Sequence, residues 1–209
     1  MTIAVIGTGN MGSGFAKLLA GASEKVVIGA RDAAKASQLA QEIGGGTEGG
    51  GIAAAGRLAD VILVAVWYQH FAETIRAAGD LSGKVIIDIS NPVTEDFKGL
   101  RLGHTTSAAE ALQKLAPQAK VVKAFNTIFA QLLPTEARTG VPVQVFVAAD
   151  DEPAKAVVSS LATRTGFQAV DSGPLSNARF LEPVGALNIH FGFFLGQGTG
   201  VAPAWVKAA

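Results

Sequence analysis

A glycine motif near the N-terminus limits this chain to few folds. The β-branched run Ile3–Ile6 leads directly into Gly7–Gly12, which reads G-x-G-x-x-G, and then into the helical pattern Met11–Ala20. A strand, a tight turn and a helix in this order form the first unit of a parallel sheet, and the start of the helix is suited to bind a phosphate group. We therefore predict an α/β chain that binds a dinucleotide at this turn.

Each glycine of the motif has its own physical role. Gly7 permits the sharp turn, Gly9 lets the backbone approach a pyrophosphate because it has no Cβ, and Gly12 lets the helix pack closely on the strand. A P-loop has the same glycine spacing but continues with Lys and then Ser or Thr, whereas Ser13 and Gly14 follow here. The context favours a dinucleotide over a nucleoside triphosphate, and over a glycine turn that binds nothing.

The rest of the chain alternates short apolar runs with helical patterns. This alternation is typical of a Rossmann-type doubly wound parallel sheet with helices on both faces. The predicted strands are Ile3–Ile6, Lys25–Ala30, Val61–Val66, Val85–Ile89, Val121–Ala124 and Val143–Ala148, with a weak edge strand near Thr47. The predicted helices are Met11–Ala20, Ala33–Ile43, Ile52–Arg57, His70–Ala78, Thr105–Leu115 and Glu152–Arg164.

The tail differs from this pattern. From Pro174 onward, glycine and phenylalanine are interleaved, above all in Gly185–Leu195. We predict a small C-terminal helical lobe over residues 174–209, packed on a dinucleotide-binding domain over residues 1–173. A surface this rich in phenylalanine is typical of a contact with another subunit or a flat ligand, so we expect a homodimer.

Composition and charge exclude several classes of function. Lys plus Arg and Asp plus Glu both number 17, and no segment concentrates the basic residues that a nucleic-acid partner requires. The absence of cysteine excludes disulfides, thiolate catalysis and Cys-ligated zinc, and it fits a reducing compartment. The histidines His70, His104 and His190 lack metal-ligand spacing, so no metal site is expected.

The hydrophobic segments do not predict membrane insertion. The longest fully apolar run, Val61–Tyr68, is far shorter than the roughly 20 residues that span a bilayer. The N-terminal run has no basic region before it of the kind that begins a signal peptide. We expect a cytoplasmic protein.

The end of the second predicted strand indicates which dinucleotide is bound. NAD-binding proteins place an acidic residue there for the ribose 2′-hydroxyl, whereas this chain has Ala30 and Arg31. The Arg31 guanidinium can grip a 2′-phosphate, and Lys35 follows one helical turn later, which predicts a preference for NADPH over NADH of about 10- to 150-fold. Asp32 is a rival ribose ligand or the cap of the following helix. The alternative interpretation is a solvated Arg and Lys pair beside Asp32.

Three further loops follow predicted strands. Trp67-Tyr68, Ser90–Pro92 and Phe125–Ile128 should meet at one rim, because the carboxyl ends of parallel strands share an edge of the sheet. There they would surround the ribose and nicotinamide, although Trp67 could equally be a core residue. No catalytic side chain is predicted, because the sequence contains no H-E-x-x-H motif and no nucleophile elbow, and its lone histidines are usually structural.

Several segments together resemble the NADPH-dependent reductases of coenzyme F420, whose fold also occurs in the cytoplasmic domain of the STEAP metalloreductases. The resemblance runs the whole length and rests on Ile3–Gly12, Gly29–Arg31 with Lys35, Asp88–Pro92, Lys123–Ile128 and Asp171–Arg179. It implies an NADP-dependent oxidoreductase that uses NADP(H), with coenzyme F420 or flavin as the acceptor.

The resemblance also implies roles for individual residues. Thr8, Arg31 and Lys35 would hold the NADP phosphates, and Ile128 would pack where nicotinamide meets the deazaflavin. One position departs from the family, which often has serine where this chain has Ala30, and this weakens the expected preference for NADPH.

The predicted site has two groups of residues. The cofactor-binding residues are Gly7, Thr8, Gly9, Asn10, Met11, Gly12, Ala30, Arg31, Lys35, Val66, Trp67, Asn91 and Asn126. The residues predicted to position the acceptor are Ile128, Leu175 and Leu187. Alternative functions are flavin or ferric reduction, imine reduction of the pyrroline-5-carboxylate type, and non-catalytic sensing of NADPH. Reductases of the pyrroline type share a similar glycine opening but have a longer dimerisation domain.

Overall fold

The computed structural model describes residues 1–140 and 142–208. The strands are β1 Thr2–Ile6, β2 Lys25–Ala30, β3 Glu48–Gly51, β4 Val61–Val64, β5 Val85–Asp88, β6 Lys120–Lys123, β7 Gln144–Ala149 and β8 Gln168–Asp171. The helices are α1 Asn10–Gly21, α2 Ala33–Ile43, α3 Ile52–Leu58, α4 Phe71–Ala78, α5 Ala108–Leu115, α6 Glu152–Arg164 and α7 Ala178–Ile189.

The strands form a single sheet with the order β3-β2-β1-β4-β5-β6-β7-β8. Neighbouring strands are parallel throughout, except that β6 and β7 are antiparallel. The predicted doubly wound parallel sheet is confirmed, with this pair as its antiparallel exception. Among the described residues between β6 and β7, the chain forms two short 3-10 turns, Ala130–Leu132 and Thr135–Ala137, and no crossover helix, so the strand returns antiparallel.

Helices cover both faces of the sheet, which confirms the Rossmann-type α/β prediction. Alternate residues of β1 serve the two faces: Ile3 and Val5 belong to the core under α1, α2 and α6, whereas Ala4 and Ile6 belong to the core under α3, α4 and α5. Burial on both faces explains why the strands read as continuous apolar runs rather than as alternating patterns.

Most predicted elements are present, with small differences at their ends. The weak edge strand near Thr47 is β3, and α5 begins after the cap Ser107 rather than at Thr105. Strand β8 was not predicted, because Gln168–Asp171 has only two apolar residues between polar ends, as expected for a strand that is only partly buried.

The C-terminal segment packs against the sheet. Helix α7 contains Pro183 and continues into a π-helical turn over His190–Phe194. Further on, the Gln144 side chain exchanges two hydrogen bonds with the backbone of Trp205, accepting at 2.6 Å and donating at 3.2 Å. Ala209, the last residue of the predicted lobe, lies outside the described residues. Over residues 1–140 and 142–208, no helix has the length and apolar character needed to cross a bilayer.

Candidate functional site

Two adjoining cavities lie at the carboxyl edge of the sheet. The first, which we call the polar cavity, has a volume of about 330 Å³ and includes Arg31, Asp32, Lys35 and Glu73 in its lining. The second, the aromatic cavity, has a volume of about 550 Å³ and includes the rings of Trp67, Phe97, Phe129 and Phe193. The residues that line both are Gly9, Ala65, Val66 and Trp67. The two spaces thus form one groove across the ends of β1, β2, β4, β5 and β6.

The glycine turn between β1 and α1 forms the floor where the two cavities meet. Gly7 has a φ of 120°, and a Cβ there would lie 2.5 Å from the Ala65 carbonyl oxygen. A Cβ at Gly12 would collide with the carbonyl of Gly7. At Gly9, in contrast, a Cβ would have no atom of the described chain within 4 Å. Gly7 and Gly12 are therefore required by packing, whereas Gly9 leaves the backbone open toward the groove.

Helix α1 begins at this floor without a side-chain cap from the described residues. Its N-cap is Gly9, whose backbone is extended. The N–H groups of the first helical turn have no partner within the helix and are oriented with the positive end of its dipole. Together with the missing Cβ at Gly9, this leaves a cradle that fits a diphosphate.

The polar cavity pairs each cation with a carboxylate. Arg31 Nη1 lies 3.8 Å from Glu73 Oε2, and Lys35 Nζ lies 3.9 Å from Asp32 Oδ2. The other oxygen of Asp32 accepts hydrogen bonds from the backbone N–H groups of Ala34 at 3.1 Å and Lys35 at 3.2 Å. This confirms the prediction that Asp32 caps α2.

The aromatic cavity is enclosed by rings and, over the described residues, lined by no charged side chain. The Trp67 and Phe97 ring centroids are 5.7 Å apart, and Phe193 lies 6.4 Å from Phe97 and 5.5 Å from Phe129. His190 Nε2 lies 3.0 Å from the Phe97 carbonyl oxygen, so the C-terminal segment holds the loop that carries Phe97. Such a space suits a flat ring with little charge.

Three residues of this lining carry buried polar atoms that lack a hydrogen-bond partner among the described residues: Ser90 Oγ, Asn126 Oδ1 and Thr127 Oγ1. The Asn126 amide is oriented by donating to Asn91 Oδ1 at 2.9 Å and to the Leu181 carbonyl at 2.7 Å. An unsatisfied buried polar atom costs about 1–3 kcal/mol. Three of them beside one cavity are therefore typical of a site that a polar ligand completes.

The segment that carries Asn126 is strained as well as buried. Phe125 adopts a left-handed conformation with a φ of 60° and is 2% exposed. This conformation is unfavourable for a bulky residue, and such positions concentrate at ligand sites. The strain indicates that the backbone turns sharply here to bring Asn126 and Thr127 to the cavity.

A buried ionic cluster lies behind the cavity wall. Lys123 Nζ donates to Asp88 Oδ2 and Glu182 Oε1, both at 2.9 Å, and to the Ser90 carbonyl at 2.5 Å. Glu182 in turn accepts from the backbone N–H groups of Ala108 and Ala109 at the start of α5. The cluster joins β5, β6, α5 and α7, and it fixes the Ser90 carbonyl beside the cavity.

The charges of this cluster shift the pKa values of two of its members. Burial acts to lower the pKa of Lys123, but the Asp88 and Glu182 carboxylates outweigh it, so the pKa is raised above its ordinary value. Burial raises the pKa of Glu182; Lys123 opposes this shift and the Asp88 charge adds to it. Lys123 therefore stays charged, and its single positive charge reduces the repulsion between the two carboxyl groups beside it.

Comparisons with known proteins place the chain in a family. A family model described as NADP oxidoreductase, coenzyme F420-dependent, matches residues 2–92. The F420-dependent NADP reductase of Methanothermobacter thermautotrophicus is 36% identical over 206 residues, which covers 91% of this chain and 88% of that protein. The chain belongs to this family. It is an NADP-dependent oxidoreductase, and the resemblance stated from its sequence is confirmed.

Two further similarities extend the comparison. A crystal structure from Arthrobacter sp. FB24, named as a candidate F420-dependent NADP reductase, matches this oxidoreductase with a TM-score of 0.81 and 32% identity, over 91% of this chain and 92% of that one. Metalloreductase STEAP3 of Rattus norvegicus is 34% identical over 182 residues, or 87% of this chain. The chain spans only 36% of that relative's length.

The cavities of this oxidoreductase bring together most of the residues singled out from the sequence. The polar cavity includes Gly7, Thr8, Gly9, Ala30, Arg31 and Lys35. The aromatic cavity includes Gly9, Asn10, Met11, Asn91, Asn126 and Ile128, and Val66 and Trp67 line both. Gly12 is buried behind the turn. Trp67 is 48% exposed, so it is not an ordinary core residue.

Leu175 and Leu187 line neither cavity. Leu175 is 2% exposed in the core with α5, and Leu187 is 53% exposed on the outer side of α7. At 100° per residue, Leu187 points about 200° away from Gly185, which does line the aromatic cavity. The assignment of these two leucines as acceptor-positioning residues therefore does not fit the structure.

Sequence reasoning missed two sets of residues at the site. The first set lines the aromatic cavity but lies in loops or the C-terminal segment, where no strand pattern indicates that its members meet: Phe97, Phe129, Asn188 and Phe193. Asp88 and Lys123 did carry a signal, because charged side chains end two neighbouring buried strands and are paired in register.

Proposed function

We propose that this chain transfers a hydride between NADPH and a planar flavin-like acceptor such as coenzyme F420. The observation that carries the proposal is the pair of adjoining cavities, one with two cations and the other uncharged and walled by rings. A dinucleotide can lie across both, because its phosphorylated ribose and its nicotinamide need opposite surroundings.

The polar cavity would hold the adenosine end of the nucleotide. The backbone of Gly7–Gly12 and the Thr8 hydroxyl would bind the diphosphate at the start of α1. Arg31 and Lys35 would bind the 2′-phosphate by charge-assisted hydrogen bonds. Ala30 adds no hydroxyl to this contact.

The aromatic cavity would hold the two rings. Asn126 Oδ1 and the Ser90 and Thr127 hydroxyls are buried and lack partners among the described residues, so small side-chain movements on binding would let them bind the nicotinamide carboxamide and other polar edges of the rings. Ile128, Val66, Trp67 and Asn91 would fix the planes and exclude water. Bound NADPH supplies the hydride, so the residues have only to hold the two rings about 3–3.5 Å apart.

The acceptor is tested by mixing the protein with NADPH and one candidate at a time: coenzyme F420, FMN, a ferric chelate or pyrroline-5-carboxylate. Loss of the near-ultraviolet absorbance of NADPH reports turnover. Fastest turnover with coenzyme F420 or FMN supports the proposal. Turnover only with pyrroline-5-carboxylate indicates imine reduction, and NADPH binding without any turnover indicates a sensor.

The position of the nucleotide is tested separately by binding. Arg31→Ala should weaken NADPH about 10-fold or more, since a charge-assisted contact of about 1.5–3 kcal/mol is lost. Arg76→Ala removes the same charge from the last turn of α4 and serves as the matched control. Equal affinity of the Arg31 and Arg76 variants would contradict the placement.

The proposal includes a homodimer that acts in the cytoplasm. Four phenylalanine and leucine side chains on the outer side of the C-terminal segment are 42–70% exposed: Phe180, Leu187, Phe191 and Phe194. Their spacing of seven, four and three residues places them along one face. Light scattering tests this, because a mass of 21.3 kDa at working concentration would exclude the dimer.

A further inference from the structure

The polar cavity contains an acidic residue that the sequence motif does not reveal. Glu73 lies in the first turn of α4, 42 positions after Arg31, yet its carboxylate is the partner of the Arg31 guanidinium at 3.8 Å. Both side chains are more than half exposed, at 57% and 69%. The pair is therefore weak and can be separated by a ligand.

The formal charge of the polar cavity is zero before a ligand binds. Its lining includes two cations, Arg31 and Lys35, and two carboxylates, Asp32 and Glu73. A 2′-phosphate brings a charge of about −1.5 to −2 at neutral pH. To bind Arg31, the phosphate must break the ion pair between Arg31 and Glu73, and it is then repelled by the nearby Glu73 carboxylate. Both effects oppose binding.

The same carboxylate favours the unphosphorylated nucleotide. In dinucleotide sites a ribose 2′-hydroxyl is commonly bound by an acidic residue at the end of the second strand, and Glu73 brings a carboxylate from α4 to Arg31, which follows that strand. Asp32 is less suited to the task, because one of its oxygens already accepts two backbone N–H groups as the cap of α2. Glu73 is exposed, and its one ion pair among the described residues is the long contact with Arg31, so it can accept the hydroxyl.

We propose that Glu73 is a specificity-determining residue that weakens binding of NADPH and supports binding of NADH. The inference rests on the proposed position of the ribose beside Arg31. Together with the missing hydroxyl at Ala30, it predicts a site that accepts both nucleotides with a reduced preference for NADPH.

The test compares dissociation constants for NADPH and NADH, measured by isothermal titration on the full chain without an acceptor. The variants are the wild type, Glu73→Gln and Glu42→Gln. Glu42 lies at the far end of α2 and is exposed, so its variant has the same change in net charge away from the cavity. At about 0.01 M ionic strength the Debye length is about 30 Å, and charge effects are largest.

Glu73→Gln should bind NADPH about 3- to 10-fold more tightly and NADH equally or more weakly, so the ratio of the two constants rises. Glu42→Gln should leave the ratio unchanged. The increase should shrink at about 1 M salt, where the Debye length is about 3 Å. A ratio within twofold of the wild type, or the same increase in Glu42→Gln, would overturn the inference.

Arg31→Ala separates this inference from the proposed function. If Arg31→Ala leaves NADPH binding unchanged, the ribose lies elsewhere, and both the proposed placement of the nucleotide and the role of Glu73 are wrong, whatever the turnover assay shows. If Arg31→Ala weakens NADPH binding and Glu73→Gln does not change the ratio, only the role of Glu73 is wrong.

Discussion

Replacing Lys123 by methionine should destabilise the fold severely. Lys123 is completely buried and is the ion-pair partner of both Asp88 and Glu182, whose side chains are also buried. Methionine fills a similar volume but leaves two carboxylates facing each other without a cation. Removing one partner of a buried ion pair costs about 3–5 kcal/mol, a large fraction of the roughly 5–15 kcal/mol that stabilises a domain.

Urea denaturation followed by circular dichroism measures this loss. Lys114→Met is the matched control, because Lys114 is exposed in the last turn of α5 and its loss changes the net charge equally. We expect the control to lie within about 0.5 kcal/mol of the wild type. A cost below about 1 kcal/mol for Lys123→Met would refute the reasoning that the cluster depends on its cation.

The stability that Lys123→Met loses should depend on pH. Without Lys123, Glu182 stays buried next to the Asp88 charge and loses the cation that opposes the rise, so the pKa of Glu182 rises further in the folded state. The folded protein then takes up protons that the unfolded chain does not bind, and the stability deficit of Lys123→Met relative to the wild type should shrink as the pH falls from neutral toward 5.

Adding Asp88→Asn and Glu182→Gln to Lys123→Met should restore much of the stability at neutral pH, because no uncompensated charge remains buried.

Four other substitutions test individual features. Gly9→Ala should weaken NADPH binding about 10-fold or more, because the new methyl group enters the open groove, and it should leave the midpoint of thermal unfolding nearly unchanged. Gly12→Ala should lower the midpoint of thermal unfolding, because its methyl group collides with the backbone. Asp32→Ala should cost about 0.5–2 kcal/mol in urea denaturation through loss of the α2 cap, and an unchanged value would contradict the cap. The pKa of Glu182 is raised on folding, so the wild type should gain stability as the pH falls through that pKa and Glu182→Gln should lack this gain in a urea series across pH.

The sequence predicts those parts of the site whose conformation is determined by residues close by in the chain. At Gly7 and Gly12 the conformation and the close contacts depend on a few neighbouring residues, so the motif suffices. Arg31 follows β2 directly, and its place at the sheet edge is fixed by the strand before it. Glu73 was not predicted, because its approach to Arg31 depends on how α4 packs against the sheet.

The order of the parallel strands was predictable for a similar reason. The antiparallel β6–β7 pair and strand β8 were not predicted, because their sequence signals are weak. Each parallel pair follows from a strand, a helical crossover and the next strand. The segment between β6 and β7 has no strong helical pattern, which is itself a sign of an antiparallel return. Strand β8 is only partly buried, so its pattern is weak.

Helix α7 shows why the acceptor residues could not be assigned from apolar character. Its inward face carries Glu182, Gly185 and Asn188, each buried, while Phe180 and Leu187 are exposed. A Cβ at Gly185 would collide with the side chain of Asn91, so the helix lies directly on the cavity wall. Ala178 and Leu181 are buried on the same helix, so its inward face combines apolar residues with the polar ones that meet the polar network. The exposed Phe180 and Leu187 are the apolar side chains that the proposed dimer would bury.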